Sequence, residues 1–103
     1  METLDIFKAL SNEYRLQMLL WLKNPQQHFT AKQLESEAVN FDGGVCVGSI
    51  TEKAGLAQSV VSSYLNALKQ VGLVETQRVG KWTYYRYNAS AINQFIENLY
   101  QQL

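Results

Sequence analysis

Residues 47 to 74 read VGSITEKAGLAQSVVSSYLNALKQVGLV, and this stretch constrains the fold more than any other. Val47, Ile50 and Ala54 share one face of a short helix that ends at Gly55. A second helix follows at once. Val61, Leu65 and Leu68 form its inward stripe, and Gly72 supplies the left-handed cap that stops it. A short helix, a turn at Ala54-Gly55-Leu56 and a second helix with a polar outward face make a helix-turn-helix.

The outward face of the second helix narrows the partner. Opposite the apolar stripe stand Gln58, Ser59, Ser62, Ser63 and Asn66. A face that meets only water is usually rich in Glu and Lys, which favour helix; Ser and Asn do not. Short hydrogen-bonding side chains instead suit contact with base edges and phosphates in a major groove. Lys69, near the end of the same helix, suits a phosphate. After Gly72, LVETQRVGKWTYYRYN is two β-rich runs around Val79-Gly80-Lys81, a hairpin signature. Arg78 and Lys81 flank its tip and Arg86 returns on the second strand, the composition of a wing that touches the minor groove or backbone. Alternate members of Trp82, Tyr84, Tyr85 and Tyr87 are expected to pack on the domain.

The remaining segments complete a mainly α domain spanning residues 1–103. Leu4, Phe7 and Leu10 mark one face of a first helix, and Leu16, Leu19, Leu20 and Trp21 are apolar positions of a second that Lys23 closes before Pro25. Thr30 and Gln33 form a capping box with Phe29 and Leu34 as its staple, which predicts a helix from about Ala31 to Val39. Ile92, Phe95, Ile96 and Leu99 follow helical spacing in the last segment. The expected order is three helices, the helix-turn-helix, the hairpin and a final helix.

Net charge is zero, but its distribution is uneven. Residues 57–87 carry four basic side chains against one acid, a net +3; the remainder carries five against eight, a net −3. One face of a neutral molecule thereby attracts phosphates. One cysteine excludes an intrachain disulfide and fits a reducing compartment. No apolar run is long enough to span a membrane and the first residues lack a leader pattern, so the expectation is a cytoplasmic protein.

Two stretches, DIFKALSNEYRLQMLLWL and SITEKAGLAQSVVSSYLNALKQVGLVETQRVGKWTYYRYN, resemble the ArsR/SmtB family of dimeric winged helix-turn-helix repressors. The resemblance covers nearly the whole chain apart from an extra segment near residues 24–44. It implies a homodimer held by the first and last helices, double-stranded operator DNA of two-fold symmetry as partner, and a signal that releases the protein. It carries base and phosphate contacts onto Gln58, Ser59, Ser62, Ser63 and Tyr64, the last standing where family members usually have histidine. Ala57 replaces the usual serine cap, so the cap is expected to pass to Ser59.

The family's metal sensors often carry Cys-x-Cys followed by an acid before the recognition helix. Here the run is Cys46-Val47-Gly48-Ser49. The last helix has no histidine, and one thiol with a distant His28 is too few for tetrahedral zinc. The expectation is no metal, no cofactor, and a small-molecule or redox inducer. Cys46 has three readings: a sensor thiol at the start of a helix, a small packing residue, or a contributor to a small-molecule site. Ser49 and Glu52 offer a competing capping box that would leave it in the preceding loop. The extra segment, with Phe29, Leu34, Val39 and Phe41 on its apolar side, is expected to pack near Cys46 as a ligand-pocket wall or as a surface decoration. A winged helix that binds protein instead of DNA is the alternative function. No catalytic set suggests an enzyme.

Overall fold

The computed structural model describes residues 2–35 and 40–103. Helices α1 (Thr3–Leu10) and α2 (Glu13–Lys23) precede a short α3 (Pro25–His28); strand β1 (Val45–Cys46) leads into α4 (Val47–Ala54) and α5 (Gln58–Gln70). Strands β2 (Val74–Val79) and β3 (Trp82–Tyr87) form the hairpin, and α6 (Ala89–Gln102) closes the chain. The expected winged helix-turn-helix is present.

One apolar cluster joins the elements. Val61, Leu65 and Leu68 of α5 are fully enclosed and meet Met18 and Leu22 of α2, Ile50 of α4, Val45, and Leu73 and Tyr85 near the sheet. Within α2 the inward positions are Met18, Leu19 and Leu22; Leu16 and Leu20 face outward. The ends of α5 are set by local chemistry. Gly72 at φ 80° follows its last turn, Gly72 N–H donates to Lys69 O (2.9 Å), and Leu73 N–H donates to Leu68 O (3.1 Å). This closes the helix in a left-handed cap backed by the Leu68 and Leu73 side chains. Asn88 then ties the start of α6 to that corner, its Nδ2 donating to Gly72 O (3.0 Å) while its Oδ1 accepts from Ala91 N–H (3.2 Å).

The sheet has three strands, not two. β3 lies between β1 and β2, with Val45 opposite Tyr85 and Cys46 opposite Tyr84. The hairpin register runs from Val74–Tyr87 to Val79–Trp82, leaving Gly80 (φ 60°) and Lys81 as a two-residue loop. A glycine with positive φ at the first loop position fits the turns that match strand twist. Simple alternation of the wing aromatics fails. Tyr84 (6% exposed) and Tyr85 (5%) are both buried although they point to opposite faces. Tyr85 enters the core, and Tyr84, paired with Cys46, borders on the other side a groove that Lys32, Gln33 and Glu35 also line.

Of the helix predicted over Ala31–Val39, residues 31–35 are described and depart from it. The capping box forms: Thr30 N–H donates to Gln33 Oε1 (2.9 Å) and Gln33 N–H to Thr30 Oγ1 (3.1 Å). Only one turn follows, through residues 31–34. Leu34 N–H is shared between Thr30 O and Ala31 O, and Glu35 N–H reaches back only to Lys32 O (3.3 Å). The turn tightens instead of propagating as a helix. Residues 36–39, including Val39, lie outside the described residues. Phe29 is buried and Leu34 half-buried against the core, and Phe41 is buried under the Arg86 guanidinium, 4.3 Å from its ring centre.

α1 and α6 lie side by side, joined by an edge-to-face contact of Phe7 with Phe95 (5.7 Å) and by Thr3 Oγ1 donating to Gln102 Oε1 (3.3 Å). The expected stripes divide. Ile92 is buried within the protomer, and Leu10 and Phe95 pack against its core. Leu4 (62% exposed), Phe7, Ile96 (56%) and Tyr100 (86%) remain uncovered.

Gly44 tests the extra segment. A Cβ there would collide with the Phe41 ring, whereas one on Gly43 would enter open space at φ 82°. Gly44→Ala should cost about 1–3 kcal/mol by overpacking. Gly43→Ala should cost about 1 kcal/mol from backbone strain alone. Thermal unfolding checks both, and equal melting temperatures would contradict this packing.

Candidate nucleic-acid interface

The rotation of α5 about its axis decides which side chains leave the protein. With Val61, Leu65 and Leu68 enclosed, Ser59, Ser62, Ser63 and Asn66 line a shallow, open concavity of about 490 Å³ together with Ala67 and Gln70. Ala67 and Gln70 were not expected there. Their signal was available, since Ser59, Ser63, Asn66 and Gln70 follow i, i+4, i+7, i+11 spacing. Gln58 stands exposed in the first turn, beside this surface rather than lining it, and Lys69 is exposed in the last.

The cap does not pass to Ser59. α5 starts at Gln58 with Ala57 at the N-cap and no side-chain cap; Val60 and Val61 N–H both bond Ala57 O. The first N–H groups of the helix are thus left to external acceptors.

Tyr64 occupies a different environment from its neighbours. It is half-buried on the flank of α5, packed against the core. Its ring stacks on Tyr14 of α2, centres 5.7 Å apart and planes within 8°, while the Arg15 guanidinium lies 5.9 Å from its centre. The phenol ring is thus engaged by two side chains of α2. The reason is angular, because Tyr64 lies one residue from Leu65 and sits where α2 crosses α5.

At the wing tip, Arg78 Nε donates to Gly80 O (3.1 Å) and Lys81 Nζ lies 5.5 Å from the Trp82 ring centre. Both side chains are exposed. Among the described residues neither they nor Lys69 has a carboxylate within ion-pairing distance. Arg86 is different. It sits opposite Glu75, away from the tip, and its Nε bonds Glu75 Oε1 at 3.0 Å beneath the stack on Phe41. Its charge is compensated within the hairpin, so the surface field comes from Lys69, Arg78 and Lys81.

Cys46 is the N-cap residue of α4, makes no side-chain cap bond, and is half-buried against the core. The competing box of Ser49 and Glu52 does not form. Ser49 Oγ donates to Gln33 O (3.4 Å), and Glu52 Oε1 accepts from Gln33 Nε2 (2.9 Å), fastening the extra segment to α4. The thiol borders an open groove of about 300 Å³ with Lys32, Gln33, Trp82 and Tyr84. Burial pushes the Tyr85 and Tyr87 phenols above the usual tyrosine value, so both stay neutral and act as packing groups. Among the described residues no three His, Cys, Asp or Glu side chains converge, and no helix is long and apolar enough to cross a membrane.

Residues 41–76, from Phe41 through both helices of the motif into β2, match the model for bacterial regulatory proteins of the arsR family. The chain is 43% identical over 100 residues to YbzH of Bacillus subtilis, described as an uncharacterized HTH-type transcriptional regulator, covering 96% of each. It is also similar to HlyU of Vibrio cholerae, a transcriptional activator, at 27% over 96 residues, covering 93% of this chain and 72% of that one. The HlyU structure superposes with a TM-score of 0.63 over 96% of this chain and 88% of that chain. A Mycobacterium bovis domain, Mb0332, described as homodimeric and as a possible ArsR-family regulator, matches at 28% identity and a TM-score of 0.62 over 95% of this chain and 75% of that one. The winged helix-turn-helix, its exposed polar helix face and these likenesses together place the chain in the ArsR family, as a DNA-binding transcription regulator.

Proposed function

We propose that the protein is a homodimeric repressor that reads a two-fold symmetric operator and is released by a signal other than a metal ion. The observation that carries this reading is the outward face of α5, where Ser59, Ser62, Ser63, Asn66 and Gln70 line one open surface. Donors and acceptors of this size read base edges, while the uncapped first turn, Lys69, Arg78 and Lys81 hold phosphates. Gln58, in that first turn, joins the base contacts. Tyr64 and Arg86 are assigned to positioning, because their rings and charges are already engaged.

The uncovered side chains Leu4, Phe7, Ile96 and Tyr100 support dimerisation through α1 and α6. A two-fold pair would set the two copies of α5 one helical turn of DNA apart, roughly 34 Å. Cys46 supports the signal. Its thiol borders a groove that is open to solvent, within reach of peroxide or an electrophile, and it sits at the junction of β1 and α4.

Three expectations follow for solution experiments. Light scattering at micromolar concentration should give a dimer mass, and Phe7→Asp with Ile96→Asp should give a monomer that no longer protects the operator. A wild-type monomer would refute the assembly. Ser62→Ala or Asn66→Ala should cost about 1–3 kcal/mol on the operator and relax specificity at one base position. Arg78→Ala or Lys81→Ala should weaken binding to every sequence and lower the salt slope by about one. Arg86→Ala should leave that slope unchanged and cost about 1 kcal/mol of stability instead. If all of these variants act alike on random DNA, α5 is not reading bases. Peroxide should release wild-type protein from the operator and leave Cys46→Ser bound; equal behaviour of the two would remove Cys46 from the signal.

A further inference from the structure

We propose that the cleft between α2 and the end of α4 binds a planar aromatic carboxylate of two fused rings carrying a hydroxyl at its far end. Its occupancy is relayed to the recognition helix through the Tyr14–Tyr64 stack. The relay rests on the DNA-binding reading above; the binding site does not.

The cleft measures about 390 Å³ and is lined by Glu13, Tyr14, Gln17, Trp21, Lys53 and Ala54. That volume lies within the range of small-ligand sites. Glu13, Gln17 and Trp21 follow i, i+4, i+8 spacing and Tyr14 stands beside them, so one side of α2 forms the floor. From Glu13 to Trp21 the helix rises roughly 12 Å, enough for two fused rings and a substituent at each end.

Charge fixes the orientation. Lys53 Nζ lies 5.2 Å from the Trp21 ring centre and 5.9 Å from that of Phe29, and those two rings meet edge to face at 6.4 Å. Aromatic faces hold an ammonium in place without neutralising it. Among the described residues no carboxylate lies within ion-pairing distance of Lys53, and no cation within that distance of Glu13. A cation therefore stands at the Trp21 end and a carboxylate at the other, with the Gln17 amide between them. A ligand carboxylate pairs with Lys53, its rings lie against Trp21 and Tyr14, and its hydroxyl donates to Glu13. A nucleic-acid phosphate would satisfy Lys53 but meet repulsion at Glu13.

The relay is a stack shared between helices. Tyr14 contributes one edge of the cleft and also lies parallel to Tyr64, next in sequence to Ser63 on the outward face of α5. Arg15 covers the same Tyr64 ring while its Nε and Nη2 donate to Ala9 O (2.6 Å) and Lys8 O (3.1 Å). A ligand seated against Tyr14 bears on a side chain that holds the recognition helix.

The test is calorimetric titration of the full chain, without DNA, with 6-hydroxy-2-naphthoate and with 2-naphthol, which lacks the carboxylate. Wild type should bind the naphthoate at micromolar concentration and 2-naphthol about tenfold more weakly, the loss of one charge-assisted contact. Lys53→Met should lower naphthoate affinity by a similar factor, and Trp21→Leu should lower affinity for both compounds. Lys53 is exposed, so its variant keeps the test decisive even if Trp21→Leu fails to fold. Absence of binding up to millimolar naphthoate, or an affinity unchanged by Lys53→Met, would overturn the site. The relay is read separately: naphthoate near its wild-type dissociation constant should weaken operator binding by wild type, and Lys53→Met should need about tenfold more for the same effect. Saturation by calorimetry with unchanged operator affinity would overturn the relay. A chain that binds no operator at all would refute the DNA-binding reading, while the calorimetry would still decide the site.

Discussion

Three side chains fix the orientation of α5. Val61, Leu65 and Leu68 have no solvent exposure, so α5 cannot roll about its axis without opening the core. Removing any of them to Ala would cost about 2–5 kcal/mol, a large part of the stability of a domain this size. Because that stripe is locked, Ser59, Ser63, Asn66 and Gln70 face outward together. The three shorter side chains among them keep that surface shallow as well as polar. The same enclosure sets the helix ends. The Leu68–Leu73 contact backs the cap at Gly72, and that corner directs the chain into β2.

The wing is held just as firmly, by coverage of both faces of β3. On one face Tyr85 enters the core. On the other, Tyr84 pairs with Cys46 and borders the groove that Lys32, Gln33 and Glu35 line, and Arg86 lies over Phe41. A two-stranded hairpin alone is marginal in water. Here a third strand and the extra segment brace its base, leaving the Gly80–Lys81 tip and the Arg78 and Trp82 side chains exposed. The extra segment is thus a brace between α4 and the sheet, fastened by Gln33 to Ser49 and Glu52 and by Phe41 to Arg86.

Much of this was legible in the residues, and the parts that were not share a cause. Helix boundaries at Gly55 and Gly72, the inward stripe of α5, the hairpin around Gly80 and the capping box at Thr30 follow from local rules and appear as read. What escaped depends on contacts distant in sequence. Val45–Cys46 becomes a strand only because β3 offers an edge, and two residues carry no periodicity of their own. Glu75 cancels Arg86 because the register sets them opposite each other. Over residues 31–35 the backbone forms a tight turn and not the expected helix, since Glu35 N–H bonds back only three residues. Tyr64 followed a family position into the expected DNA surface, and only the crossing of α2 shows its ring to be engaged inside. Of the expected dimer stripe, Ile92 was claimed by the protomer's own core.

The first turn of α2 links the two surfaces the function needs. Asn12 caps it, its Oδ1 accepting from Tyr14 N–H (2.9 Å) and Arg15 N–H (3.1 Å). That fixes Tyr14 and Arg15 side by side, both directed at Tyr64. Arg15 also holds the last carbonyls of α1, the helix that exposes Leu4 and Phe7. The exposed face of α1 and the outward face of α5 are therefore joined through one guanidinium and one pair of stacked phenols. Rotation of α1 would strain two charge-assisted hydrogen bonds of Arg15 and so bear on the Tyr64 ring it covers. In the proposed dimer, the spacing between the two copies of α5 would depend on that joint as much as on the interface itself.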